Sequence, residues 1–254
     1  MILFICLKKQ FSLTFKDIQG SVFFVLQSDN SFFSGIPGAL DVVYAVDVSN
    51  NVDDNLLDRM KAYMKKHIQA YKINSSGARI GILTFGGEPV VTLPLWAGFN
   101  LTGVINGINN IKPTGADRPR DYISALDKLA SNMFVTSGGI RADTPKVLVV
   151  LTTGKNSGIV NREELKLKAK LLHDKGVEVI VLAIGKDVDS GEITNIVTDP
   201  IRIIITYPGV IDNSLANLEL AIGSVLGMTF IFIFLGHLPL PLLLPSASCT
   251  FNLG

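Results

Sequence analysis

Three oxygen-bearing side chains, Asp47, Ser49 and Asn51, stand at alternate positions at the end of an apolar run. A carboxylate, a hydroxyl and an amide oxygen are hard donors of the kind that Mg2+ and Ca2+ take. The same residue types also open helices, because a side-chain oxygen at the N-cap accepts a backbone N–H of the first turn. Spacing alone leaves both roles open. Position narrows the chemistry: Val42, Val43, Tyr44, Ala45 and Val46 precede the cluster without a polar interruption, as in a central parallel strand covered on both faces. Ligands of an open α/β sheet gather at the carboxyl ends of such strands, which is where Asp47 falls.

Other chemistry finds little to stand on. His67, His173 and His237 are scattered, no Gly-x-Gly-x-x-Gly follows a strand, and Gly154-Lys155-Asn156-Ser157 lacks the upstream glycine of a phosphate loop. Without a phosphate loop or a nucleophile–base pair, the sequence disfavours an enzyme or a nucleotide-binding protein. Twenty-three basic residues against 22 acidic ones leave a net charge of +1, which argues against nucleic acid as a partner. Cys6 and Cys249 have neither zinc spacing nor a redox motif; they could join the termini or remain thiols. Asn74-Ser75-Ser76 and Asn100-Leu101-Thr102 are N-glycosylation sequons, in keeping with an extracellular glycoprotein.

The elements that must position the oxygen cluster alternate between strand and helix. Leu57, Met60, Met64, Ile68 and Tyr71 recur at helical spacing within 55–71, and Ala78–Phe85 reads as a second strand. Gly86-Gly87 then turns the chain into an edge strand over Pro89–Leu93. A glycine-weakened helix over Leu101–Ile111 and a loop over Pro113–Pro119 follow, then a helix carrying Tyr122, Ala125, Leu126, Leu129 and Met133. Pro145–Leu151 and Val177–Ile184 are further buried strands, separated by a charged helix over Arg162–Lys175. Helical turns near Glu192–Val197 and Leu215–Ile222 flank an edge strand over Ile201–Thr206. Such alternation predicts an α/β fold: a doubly wound, mostly parallel sheet with one antiparallel edge strand and helices on both faces.

This order of elements resembles a von Willebrand factor type A domain over residues 41–223. The resemblance rests on Asp41–Asn51, on Arg79–Phe85 with Gly86-Gly87, on Ser124-Ala125-Leu126, on Val147–Gly154 and on Gly176–Gly185. Glu192 through Pro200 also follows the family pattern. The family's metal-ion-dependent adhesion site joins an Asp-x-Ser-x-Ser sequence to a Thr and an Asp from two further loops. Here Asp47 and Ser49 match, Asn51 replaces the second Ser, Arg120 stands where the Thr belongs, and Thr153 stands where the Asp belongs. Thr114 could be a displaced Thr, and Asp117 or Asp121 a displaced carboxylate.

The resemblance therefore implies half of a metal site. A guanidinium about 4 Å from another unit charge, at an effective dielectric of about 20, is worth roughly 4 kcal/mol. That repulsion predicts weak Mg2+ or Ca2+ affinity at most, and no cofactor. Arg120 could take the cation's place by gripping Asp47 bidentately, or point into solvent as most loop arginines do. By resemblance the protein is a non-catalytic, metal-independent binding module of a matrix or cell-surface protein, its partner another protein of that setting. Its ligand-binding face would include Arg120, Asp121 and Thr153; the alternative is a structural spacer with no ligand there.

Residues 1–40 form an unassigned flank without a clear secretion signal. Residues 224–254 form a hydrophobic tail, and the stretch from Leu220 to Gly254 holds no Asp, Glu, Lys or Arg. The run Ala221–Leu235 is apolar enough to suggest membrane association, although Gly236 and Pro239 follow it closely and a spanning helix needs about 20 apolar residues.

Overall fold

A computed structural model describes residues 12–18, 21–27, 38–113, 117–154, 161–226 and 231–234. Along the chain these form β1 (Ser12–Ile18), β2 (Ser21–Gln27), β3 (Leu40–Asp47), α1 (Asp54–His67), β4 (Ala78–Phe85), β5 (Val90–Leu93), α2 (Leu101–Asn109) and α3 (Tyr122–Lys128). There follow β6 (Lys146–Thr152), α4 (Arg162–His173), β7 (Val177–Ile184), α5 (Ser190–Ile193), β8 (Ile203–Thr206), α6 (Leu215–Val225) and β9 (Ile231–Phe234). Two compact units result, one of Phe33–Met228 and one that combines Met1–Phe32 with Thr229–Gly254.

In the larger unit the sheet runs β5-β4-β3-β6-β7-β8. Every neighbouring pair is parallel except β4 with β5, which are antiparallel. β3 lies between β4 and β6, so its alternate residues feed two cores. Val42, Tyr44 and Val46 join the layer shared with α1, α2 and α6. Val43 and Ala45 join the layer shared with α3, α4 and α5. Burial on both faces is why β3, β6 and β7 are apolar almost without break.

The helices start where the sequence offers oxygen caps. Asp53, Asn100, Asp121, Asn161 and Asp189 each accept a backbone N–H at the start of α1, α2, α3, α4 and α5. Lys65 and Lys66 stand in the last turn of α1, where positive charge complements the helix dipole. At the amino end of β3, Arg141 donates to the buried Asp41 through Nε (2.9 Å) and Nη2 (2.6 Å), and its backbone N–H adds a third bond (2.8 Å). His67 sits wholly inside the α1 layer, its ring nitrogens 2.6 Å from the Tyr44 hydroxyl and 3.1 Å from that of Tyr71. His173 instead meets the Ile196 carbonyl at 3.1 Å.

The smaller unit is a three-stranded antiparallel sheet, β1-β2-β9. It contains strands both in the flank left unassigned from sequence and in the segment read as a hydrophobic tail. The run Ala221–Leu235 is not one helix, because α6 ends at Val225 and Ile231–Phe234 is a strand. Among the described residues no helix is long and apolar enough to cross a membrane. Cys6, Cys249, His237 and Thr114 lie outside the described residues.

Candidate functional site

Several chain segments converge at the carboxyl end of the central strands. The first is the β3–α1 loop. Asp47, the last residue of β3, is fully buried, and its Oδ1 accepts the Ser49 backbone N–H at 2.9 Å. Its Oδ2 accepts the Thr152 hydroxyl at 2.7 Å, across the β3–β6 boundary. Since Thr152 Oγ1 gives its proton to Asp47, the Tyr122 hydroxyl, 2.8 Å away, donates to Thr152. The Gly154 N–H also donates to Thr152 Oγ1, at 3.1 Å. A relay of Tyr122, Thr152 and Asp47 thus ties α3 to two strands, and burial raises the Tyr122 phenol pKa above its ordinary value.

The β4–β5 turn presses onto this loop. Val48 N–H donates to the Phe85 carbonyl at 2.7 Å, and Gly86 follows at φ 138°. A Cβ on Gly86 would lie 2.4 Å from the Ser49 backbone nitrogen, so only glycine permits the approach. Arg118 completes the packing through Nε, which donates to the Val48 carbonyl at 2.9 Å.

Arg120 enters from the loop before α3. Its residue is 4% exposed, yet it carries a full charge. The guanidinium does not grip Asp47: Nη2 pairs with Glu192 Oε2 at 3.3 Å, and Nη1 donates to Thr153 Oγ1 at 3.2 Å. Its carbon also stands 5.1 Å from the Tyr122 ring centre, within cation–π range. The expected pairing fails for a local reason: Asp47 already accepts from Ser49 and Thr152, while Glu192, buried at the start of α5, presents a second carboxylate. The solvent-pointing alternative fails as well.

The remaining sequence candidates divide. Ser49 is buried, and its hydroxyl makes no hydrogen bond among the described residues. Asn51 is exposed in the turn before α1. Asp121 is the N-cap of α3, accepting from Ser124 N (3.1 Å) and Ser124 Oγ (2.5 Å). Asp117 is exposed. Among the described residues no cluster of three or more His, Cys, Asp or Glu side chains could hold a metal ion. Of the expected ligand-binding face, Arg120 and Thr153 lie mostly inside, and the exposed residues described in these loops include Asn50, Asn51, Glu88, Asp117 and Pro119. Sequence reasoning missed Glu192, whose place three residues after Asp189 reads as an ordinary helix-capping pair.

A model of the von Willebrand factor type A domain matches residues 41–208, the stretch that builds this sheet and its loops. The chain belongs to that family. Similar proteins include the mouse collagen alpha-1(XX) chain, 21% identical over 66% of this chain and 12% of the relative. Mouse von Willebrand factor A domain-containing protein 2 is 25% identical over 65% of this chain and 20% of its own length. The human collagen alpha-5(VI) chain is 31% identical over 57% of this chain and 5% of the collagen. The chain therefore spans a fifth or less of these relatives. Proximal thread matrix protein 1 from the mussel byssus shares the fold, with a TM-score of 0.65 at 19% identity over 71% of this chain and 46% of that one. A further structure of that protein is described with a zinc-occupied MIDAS motif, with a TM-score of 0.63 at 20% identity over 71% of this chain and 47% of that one.

Proposed function

We propose that this von Willebrand factor type A unit is a non-catalytic protein-binding module of an extracellular matrix or cell-surface assembly, working without a divalent cation. The matrix setting is supported by the collagen relatives and the two sequons. Metal independence rests on one observation, the buried pairing of Arg120 with Glu192 and Thr153. The residues present do not suit a dication. One matched carboxylate remains, Asp47, and its two oxygens already accept a backbone N–H and a hydroxyl. The Thr153 hydroxyl accepts from a guanidinium, whose permanent charge opposes a second cation. The partner then meets the exposed rim of Asn50, Asn51, Glu88, Asp117 and Pro119 rather than the buried Arg120.

Calorimetric titration of the chain with MgCl2 and MnCl2 tests the metal reading directly. The expected result is no saturable heat and an unchanged melting temperature with or without EDTA. A saturable heat reversed by EDTA overturns it. Binding to a solubilised matrix extract, read by surface plasmon resonance, tests the module. Signal should persist in EDTA and fall for an Asn51→Ala, Asp117→Ala variant; a chain with no specific signal is a spacer.

A further inference from the structure

The segment between β5 and α2 exposes three large apolar side chains within six residues: Trp96 at 60%, Phe99 at 44% and Leu101 at 40%. Neither core layer uses them as buried members. The segment is nonetheless firmly held. Ala97 and Gly98 N–H donate back to Pro94 and Leu95, and the Gly98 carbonyl accepts the Ile80 N–H at 2.9 Å. An ordered apolar patch that faces water calls for a cover.

Asn100 stands within that patch and opens the sequon Asn100-Leu101-Thr102, all three residues exposed. Its Oδ1 accepts the Gly103 N–H at 2.6 Å as the N-cap of α2, which fixes the side-chain amide. Among the described residues Nδ2 donates no hydrogen bond. Gly103 leaves room beside it, since a Cβ there would stand 3.3 Å from Nδ2. The other sequon differs. Asn74 is half-buried, and its Oδ1 accepts from Ser76 N, Ser76 Oγ and Gly77 N.

We propose that Asn100 carries an N-linked oligosaccharide whose first sugars lie over Trp96, Phe99 and Leu101. The inference rests on the extracellular reading given above. In the modification, Nδ2 forms a bond to the anomeric carbon of a sugar held on a lipid pyrophosphate. The anomeric C–O bond breaks, the lipid pyrophosphate leaves with the electron pair, and the Nδ2 proton passes to a base of the transferase. The amide retains its carbonyl oxygen, so the bond to Gly103 survives modification. Pyranose rings have an apolar C–H face that suits an aromatic surface, so the glycan shields the patch from water.

The test uses the full chain, secreted from glycosylating cells behind a cleavable leader. Peptide N-glycosidase in heavy-oxygen water should convert Asn100 to labelled Asp. Thr102→Ala should lose the label and the associated mobility shift, while Thr102→Ser keeps both. Trp96 is the chain's one tryptophan, so its fluorescence reports on the patch alone. Enzymatic trimming of the folded protein should raise acrylamide quenching and shift the emission to the red. An unlabelled Asn100 in the secreted chain overturns the site, and unchanged Trp96 quenching after trimming overturns the cover. Whether the native protein reaches the cell exterior is read separately by locating the endogenous protein with an antibody in fractionated source tissue; retention inside cells fails the extracellular reading and leaves the test of Asn100 intact.

Discussion

Arg120 and Glu192 are costly residues to bury, and their value lies in each other. Each is at most 4% exposed, so removing one partner leaves an uncompensated charge inside the protein. Arg120→Ala or Glu192→Ala should each cost about 3–5 kcal/mol, measured by urea denaturation. A joint change to Met and Leu should recover most of that loss, because an apolar pair of similar volume often replaces a buried ion pair at little cost. His67 gives a second residue-level expectation. Burial lowers its pKa to about 3, against an unfolded value of about 6.5. The unfolded chain therefore binds the proton first as pH falls, and stability drops on acidification below about pH 6.5. Between pH 7 and pH 5 the wild type should lose about 2 kcal/mol through this group. His67→Gln should lack that increment, as urea melts at the two pH values will show.

At the level of elements, the site is held by two strand ends and one close approach. β3 delivers Asp47, β6 delivers Thr152 and Thr153, and the Gly86 turn packs against the Ser49 backbone. Gly86→Ala should shift both loops and destabilise the fold by more than 1 kcal/mol, read as a lowered melting temperature. The opposite end of β3 carries the Asp41–Arg141 fork. The positions of β3, β4, β6 and β7 were legible in the sequence because strands covered on both faces are apolar throughout. The loop before α3 was legible in part: its alignment placed Arg120 at the site, but its partner could not be read. Glu192 lies 72 residues further on, in a segment that the sequence marked only as a helical turn following the family pattern. Pairings across such distances leave no periodic trace.

For the whole molecule, both described apolar core layers lie within the type A unit, Phe33–Met228. The excised 33–228 fragment should therefore keep a single cooperative melt by calorimetry. The end segments hold a pairing that composition does not announce. A composition without charge suggests a membrane run, while β2 and β9 find each other across nearly the whole chain, a pairing set by backbone hydrogen bonds that apolar composition alone does not specify.

The sheet also has an unguarded margin. Among the described strands β8 pairs with β7 alone, and it is flanked by Ile201 (76% exposed) and Tyr207 (54%), with Ile205 (53%) on the strand itself. An open, greasy strand edge is a template for further strands. Concentrated stocks of the chain should consequently cloud over time, growing particles that light scattering can follow. Ile205→Lys should keep such stocks clear with little change in melting temperature.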